Sequence, residues 1–155
     1  MTHQTKHNGF TIIEVVLVLA IAGLIFLMVF IAWPALQRSQ RDAQRRDDAI
    51  KFVSQVSSYA TNNKGSIPST DPTSMNNFLN AYLKRNEGEF KDPQTGNDYT
   101  VKTGISQTAG TDQMVYATSA KCDGENIVAN SNAPRSFAVK IRLEGSGFFC
   151  KDNQS

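Results

Sequence analysis

Hydrophobic and polar positions divide this chain unevenly. The first nine residues, MTHQTKHNG, are polar and mildly basic, with no periodicity. From Val15 to Trp33 there follow 19 consecutive uncharged and almost wholly apolar residues. A run of about 20 such residues can cross a hydrocarbon core as a helix. After Pro34 the pattern changes to a weak stripe, with Leu36, Ala43, Ile50, Val53, Ser57 and Ala60 on one side of a helix reaching about Thr61. Opposite lies RSQRDAQRRDDAIK, whose charges alternate in sign. Asp42–Arg46 and Asp47–Lys51 are acid-first (i, i+4) pairs, and such a run reads as a solvated face. Asn62-Asn63-Lys64-Gly65 reads as the stop, with Gly65 suited to a left-handed cap. From Phe10 to Thr61 such a helix would span about 80 Å at about 1.5 Å per residue.

The remainder is short and mixed. Asp71 or Thr70 can cap a helix that has Pro72 in its first turn and apolar residues at Met75, Phe78, Leu79, Tyr82 and Leu83. Phe90 to Tyr99 is rich in turn residues, and Asp92, Asn97 and Asp98 read as turn chemistry in preference to calcium ligands. Strands are expected at Tyr99–Thr103, Met114–Thr118 and Phe137–Leu143, with Ile127–Ala129 as a short fourth piece and Phe148–Cys150 at the end. The connections look too short for helical crossovers, so the spacing predicts antiparallel meanders. The fold class is therefore α+β: a long N-terminal helix, membrane-spanning in its first half, packed in its second half on a small antiparallel sheet.

Composition narrows the chemistry. The net charge is only +2, with 16 basic and 14 acidic residues, which excludes a polybasic nucleic-acid arm. Residues 52–155 carry ten basic and ten acidic side chains, so DNA binding has little electrostatic support. The two histidines, His3 and His7, precede the apolar run, which removes Ser/His, Cys/His and HExxH chemistry from the body of the protein. No catalytic residue, cofactor or metal site is expected. Cys122 and Cys150, with no CxxC and no partner histidine, read as a disulfide and so as an oxidising location.

Two simple readings of the N-terminus fail. A cleavable secretory signal has a shorter apolar region and a small-residue site at its end, whereas Ala20-Ile21-Ala22 lies inside this run. A plain membrane anchor leaves Glu14 unexplained, since a carboxylate beside hydrocarbon costs on the order of a few kcal/mol even near the edge and by default marks function. Glu14 lies one turn after Phe10. Cleavage between Gly9 and Phe10 would create an α-ammonium near that carboxylate.

Gly9 followed by Phe10-Thr11-Ile12-Ile13-Glu14 and an unbroken apolar helix resembles the prepilin signature of type IV pilins and pseudopilins. The resemblance implies a leader at 1–9, a membrane and filament-core helix at 10–36, and an extracellular head at 37–155. It implies cleavage after Gly9 by prepilin peptidase, methylation of the new N-terminal Phe10, and Glu14 as the assembly residue. Gly23 and Pro34 match a stretch that loses regular hydrogen bonding in such filaments, although Pro34 is equally a simple exit from the membrane. The partners implied are further copies of the chain, an assembly ATPase and a polytopic platform protein. The first reading is a pilus subunit for motility, adhesion or DNA uptake; the second is a secretion-system pseudopilin. The third is a membrane-anchored binding module. One count opposes the implied topology: Lys6 precedes the span, while Arg38, Arg41, Arg45, Arg46 and Lys51 follow it.

Overall fold

The computed structural model describes residues 9–145 and 147–154. The leader positions before Gly9, Lys6 included, lie outside the described residues. Helix α1, Ile12–Asn62, is assigned without interruption. It contributes to two compact units, one ending at Gln37 and the other starting at Arg38.

In the first unit α1 has no core of its own. Its large apolar residues are exposed, from Ile12 at 85% to Trp33 at 57%. A helix that is apolar all round belongs in lipid or among other helices. The helix is long and apolar enough to cross a membrane.

The second unit has the expected α+β architecture. The rest of α1 and helix α2, Pro72–Leu83, pack on a four-stranded sheet of order β1-β2-β5-β6, formed by Thr100–Thr103, Gln113–Thr118, Phe137–Arg142 and Phe148–Asp152. Asp71 caps α2 by accepting from the Ser74 N–H at 3.0 Å. Met75, Phe78, Leu79 and Leu83 are buried at the expected helical spacing. They meet Phe52 and Val56 of α1 and Met114, Tyr116, Phe137 and Val139 of the sheet. Strands β2 and β5 pair antiparallel with Tyr116 opposite Val139, so alternate residues feed the two faces. Val115, Ala117 and Ala138 join a second cluster with Ala120 and Ile127 of a hairpin, β3 Ala120–Asp123 and β4 Asn126–Ala129.

Three expectations need correction. First, β1 and β2 run parallel. Residues 104–112 connect them without a helix: the strand has only four residues, and nine in the loop are enough to carry the chain back along it. Second, a strand absent from the expected set, β3, follows Thr118 and turns into β4 across Gly124-Glu125, with Gly124 at φ +59°. Third, the buried face of α1 is Arg45, Ala49, Phe52, Val53 and Val56. Of the expected stripe, Leu36, Ala43, Ile50 and Ser57 are exposed and Ala60 is half-buried. The stop at 62–65 is as expected: Gly65 is left-handed at φ +82°, its N–H closes on the Ala60 carbonyl at 2.7 Å, and Lys64 before it is left-handed as well.

Cys122 of β3 and Cys150 of β6 form a disulfide, with Cα atoms 5.8 Å apart. It ties the hairpin to the sheet. Closing a loop of 28 residues stabilises by about 3.5 kcal/mol through restriction of the unfolded chain. Replacing both cysteines by serine is expected to lower unfolding stability by about that amount, measured by urea denaturation of the full chain in non-ionic detergent; an unchanged midpoint would contradict it.

Candidate functional site

The site begins where α1 begins. Gly9 and Phe10 precede the helix, Thr11 occupies its N-cap and Glu14 the third helical position. The Thr11 carbonyl accepts from the N–H groups of Glu14 and Val15, at 3.1 and 3.3 Å. The Thr11 hydroxyl donates to the Glu14 carboxylate at 3.5 Å. Thr-x-x-Glu is the capping-box spacing, and an acid in the first turn complements the positive end of the helix dipole. Glu14 therefore has a local partner, and Thr11 is a residue the sequence reading passed over although T-x-x-E was visible there.

Phe10, Glu14, Val15, Val18 and Leu19 line a shallow groove of about 200 Å³. These positions share one helical face, with Glu14 as the single ionisable group on it. Gly9 is exposed, and a Cβ built on it would meet nothing within 4 Å. Its small size is thus not required by the described residues. Gly23 is equally open, and α1 passes through both Gly23 and Pro34. The single chain is helical through both positions, since a proline removes one N–H donor and the bonds of the adjoining turns carry the helix on; the loss of hydrogen bonding that the resemblance implies concerns the filament.

A family model described as the prokaryotic N-terminal methylation motif matches residues 4–30. The chain carries the type IV prepilin signature. The motif marks a precursor of the type IV pilin and pseudopilin class, and the apolar helix fits a membrane-anchored form. It implies processing by prepilin peptidase and assembly into a filament. The matched segment stops within α1, so the head lies beyond it. No curated protein and no solved structure matches this prepilin-like chain.

The second feature lies in the head, on the run of charges that reads as a solvated face. That reading is incorrect for half of it. Arg45 is 1% exposed and Asp92, from the turn before the sheet, is fully buried. The Arg45 Nε donates to Asp92 Oδ1 at 2.7 Å, and its Nη2 donates to the Gln94 side-chain Oε1 at 3.1 Å. The other Asp92 oxygen accepts the N–H groups of Gln94 and Thr95, at 3.1 and 2.9 Å. Both oxygens are thus occupied by turn and helix contacts. Burial alone would push the Asp92 carboxyl up; the Arg45 and Thr95 hydrogen bonds, with the Arg45 charge, outweigh it and hold it below the usual range. Alongside, Arg41 donates to both oxygens of Glu144, and its second contact is 2.8 Å. That hydrogen bond, followed by the Arg41 charge, holds the Glu144 carboxyl low. The Asp42 carboxylate accepts the Glu144 N–H at 2.7 Å, and Arg46 stacks over the Phe149 ring at 5.1 Å. The expected Asp42–Arg46 and Asp47–Lys51 pairs are replaced by these tertiary partners: Asp42 meets the loop after β5, and Lys51 reaches Glu89 at 3.8 Å.

Asp48 sits on the same seam and accepts from the Tyr99 hydroxyl at 3.2 Å. Burial pushes its carboxyl up to about 6 from the ordinary 3.8, while the Tyr99 hydrogen bond and the Lys51 charge oppose the rise. Between pH 4 and 6 the folded state then holds more protons at Asp48 than the unfolded state, so this group adds stability on acidification from about pH 6. Above pH 6 its destabilisation is fully present. Asp48→Asn is expected to raise the melting temperature at pH 7 and to remove the gain between pH 6 and pH 4, measured by thermal circular dichroism at several pH values. A D48N chain no more stable than the wild type at pH 7 would contradict this.

Proposed function

We propose that the protein is the structural subunit of an extracellular type IV pilus, made as a single-pass membrane precursor and polymerised through α1. The observation that carries the reading is the start of α1: Gly9 and Phe10 are exposed just before it, Glu14 occupies its first turn, and the apolar surface beyond is unburied. Cleavage after Gly9 leaves Phe10 with an α-ammonium, which the family chemistry methylates. Opposite charges about 4 Å apart at an effective dielectric near 20 attract by about 4 kcal/mol. That offsets much of the burial cost of Glu14 when the Phe10 of one protomer meets the Glu14 of the next. Lateral packing of apolar helices replaces lipid contacts, and loss of regular hydrogen bonding between Gly23 and Pro34 belongs to this assembled state. Prepilin peptidase, an assembly ATPase and a platform protein are the partners. The outcomes are motility, adhesion or DNA uptake.

The disulfide supports an oxidising location for the head, outside the cytoplasm. The basic residues following the span oppose that orientation, but Arg41, Arg45 and Lys51 have carboxylate partners in the fold. A reporter fused after Ser155 tests the orientation directly, and cytoplasmic activity would overturn it.

A pseudopilin of a secretion system is the second reading, since it shares the prepilin signature and the long N-terminal helix. Long filaments on cells support the pilus, and short periplasmic ones the pseudopilus.

Gly9→Leu tests the processing step. The open space around Gly9 means that the substitution leaves α1 and the head unchanged. Maturation is expected to stop, seen as a slower-migrating species that retains the leader; wild-type mobility would count against the cleavage site.

A further inference from the structure

The charged seam of the head borders a polar cleft of about 410 Å³. Arg38, Arg45, Arg142, Glu144, Gln94 and Thr111 line it. Most of its charge is already matched. Arg45 is held by Asp92, with Asp42 at 3.8 Å and Glu144 at 3.7 Å, and both Glu144 oxygens are taken by Arg41. Asp42 is further occupied by the N–H groups of Glu144 and Gly145. Arg38 and Arg142 differ. Both are exposed, one on α1 and the other at the end of β5, and neither makes an ion pair among the described residues. The carboxylates of the seam are thus matched by Arg41, Arg45 and backbone N–H groups, and the charges of Arg38 and Arg142 are left to the cleft.

We infer that this cleft binds a phosphoryl oxyanion between Arg38 and Arg142. Guanidinium groups on two different elements present donor forks to several oxygens at once, which suits a tetrahedral anion better than a planar carboxylate. The Thr111 hydroxyl and the Gln94 amide add neutral donors; the Gln94 carbonyl already accepts from Arg45, which leaves its NH₂ available. The phosphoryl group is supplied either by free phosphate or by a lipid headgroup. Arg38 stands five residues beyond Trp33, where the apolar run ends, so a headgroup is within the reach of the precursor. The inference is independent of filament assembly: a chain that never polymerised would have the same cleft.

The test uses the full chain in non-ionic detergent. Inorganic phosphate is titrated by calorimetry, with acetate as the comparison anion. In parallel, native mass spectrometry follows retention of phosphatidylglycerol against phosphatidylcholine. The double variant R38Q/R142Q is compared with K102Q/K121Q, which removes the same charge elsewhere on the head. Phosphate affinity or phosphatidylglycerol retention is expected to fall by about tenfold or more in R38Q/R142Q and to hold in K102Q/K121Q. Loss in the first arm identifies a soluble phosphate site, and loss in the second a headgroup site. Equal behaviour of the two variants in both arms overturns the site. Acetate binding as tightly as phosphate overturns the ligand class. Unchanged near-ultraviolet circular dichroism of R38Q/R142Q confirms that the head is folded when binding is lost.

Discussion

Glu14→Ala is expected to leave the chain in the membrane and to abolish surface filaments. Insertion depends on the apolar run from Val15 to Trp33, and removing a carboxylate makes that segment more apolar. On the proposed function assembly depends on the carboxylate, because a Phe10 ammonium buried among apolar helices would have no other partner of opposite charge on the groove-forming face. Glu14→Gln separates this account from a simpler one. The side-chain oxygen of glutamine can still accept from the Thr11 hydroxyl, so a purely local role for Glu14 tolerates it. The pairing account does not, and expects E14Q protomers to remain unassembled. Electron microscopy of sheared cell-surface material, with membrane fractionation as the control, reads both variants. Normal filaments from either would falsify the pairing mechanism.

Asp92→Ala is expected to destabilise the head by about 3–5 kcal/mol, because it strands a guanidinium that has almost no access to water. Gln94 and Glu144 remain near Arg45, at 3.1 and 3.7 Å, but one is neutral and the other is committed to Arg41. The same change removes the acceptor of the Gln94 and Thr95 N–H groups, so the turn leading to Tyr99 loosens with it. Replacing both partners, R45L/D92A, restores part of the loss, since no charge is left buried alone. Urea unfolding of the full chain in detergent, followed by near-ultraviolet circular dichroism of the buried tyrosines, measures both. A D92A loss below about 1 kcal/mol, the range of an exposed pair, would show that the pair is exposed in solution.

These two regions differ in how readily the sequence reveals them. Glu14 stands out because a charge at the head of an apolar run breaks a local pattern, and its neighbours Gly9 and Phe10 are close by in the chain. Helix α2 is equally legible: Asp71, Pro72 and the Met75–Leu83 spacing lie within one short stretch. Arg45 is not. It occupies a core position of α1 four residues before Ala49, but a charged residue there shifts the apparent apolar stripe to the exposed Leu36, Ala43 and Ile50 face. Its partner is 47 positions away, and no local spacing encodes that contact. Strand β3 is hidden for a related reason. Ala120-Lys121-Cys122-Asp123 is weakly apolar and becomes a strand through pairing with β4 and the Cys150 bridge. The parallel pairing of β1 depends on the path of the 104–112 loop, which composition does not determine.

The central claim is a cut between Gly9 and Phe10 that creates the charge Glu14 needs. Mass spectrometry of the N-terminal peptide from filaments sheared off cells tests it most directly. The account predicts a peptide that starts at Phe10 and carries one methyl group on its amine. A filament peptide that still contains MTHQTKHNG, or the absence of this chain from sheared filaments, would contradict it.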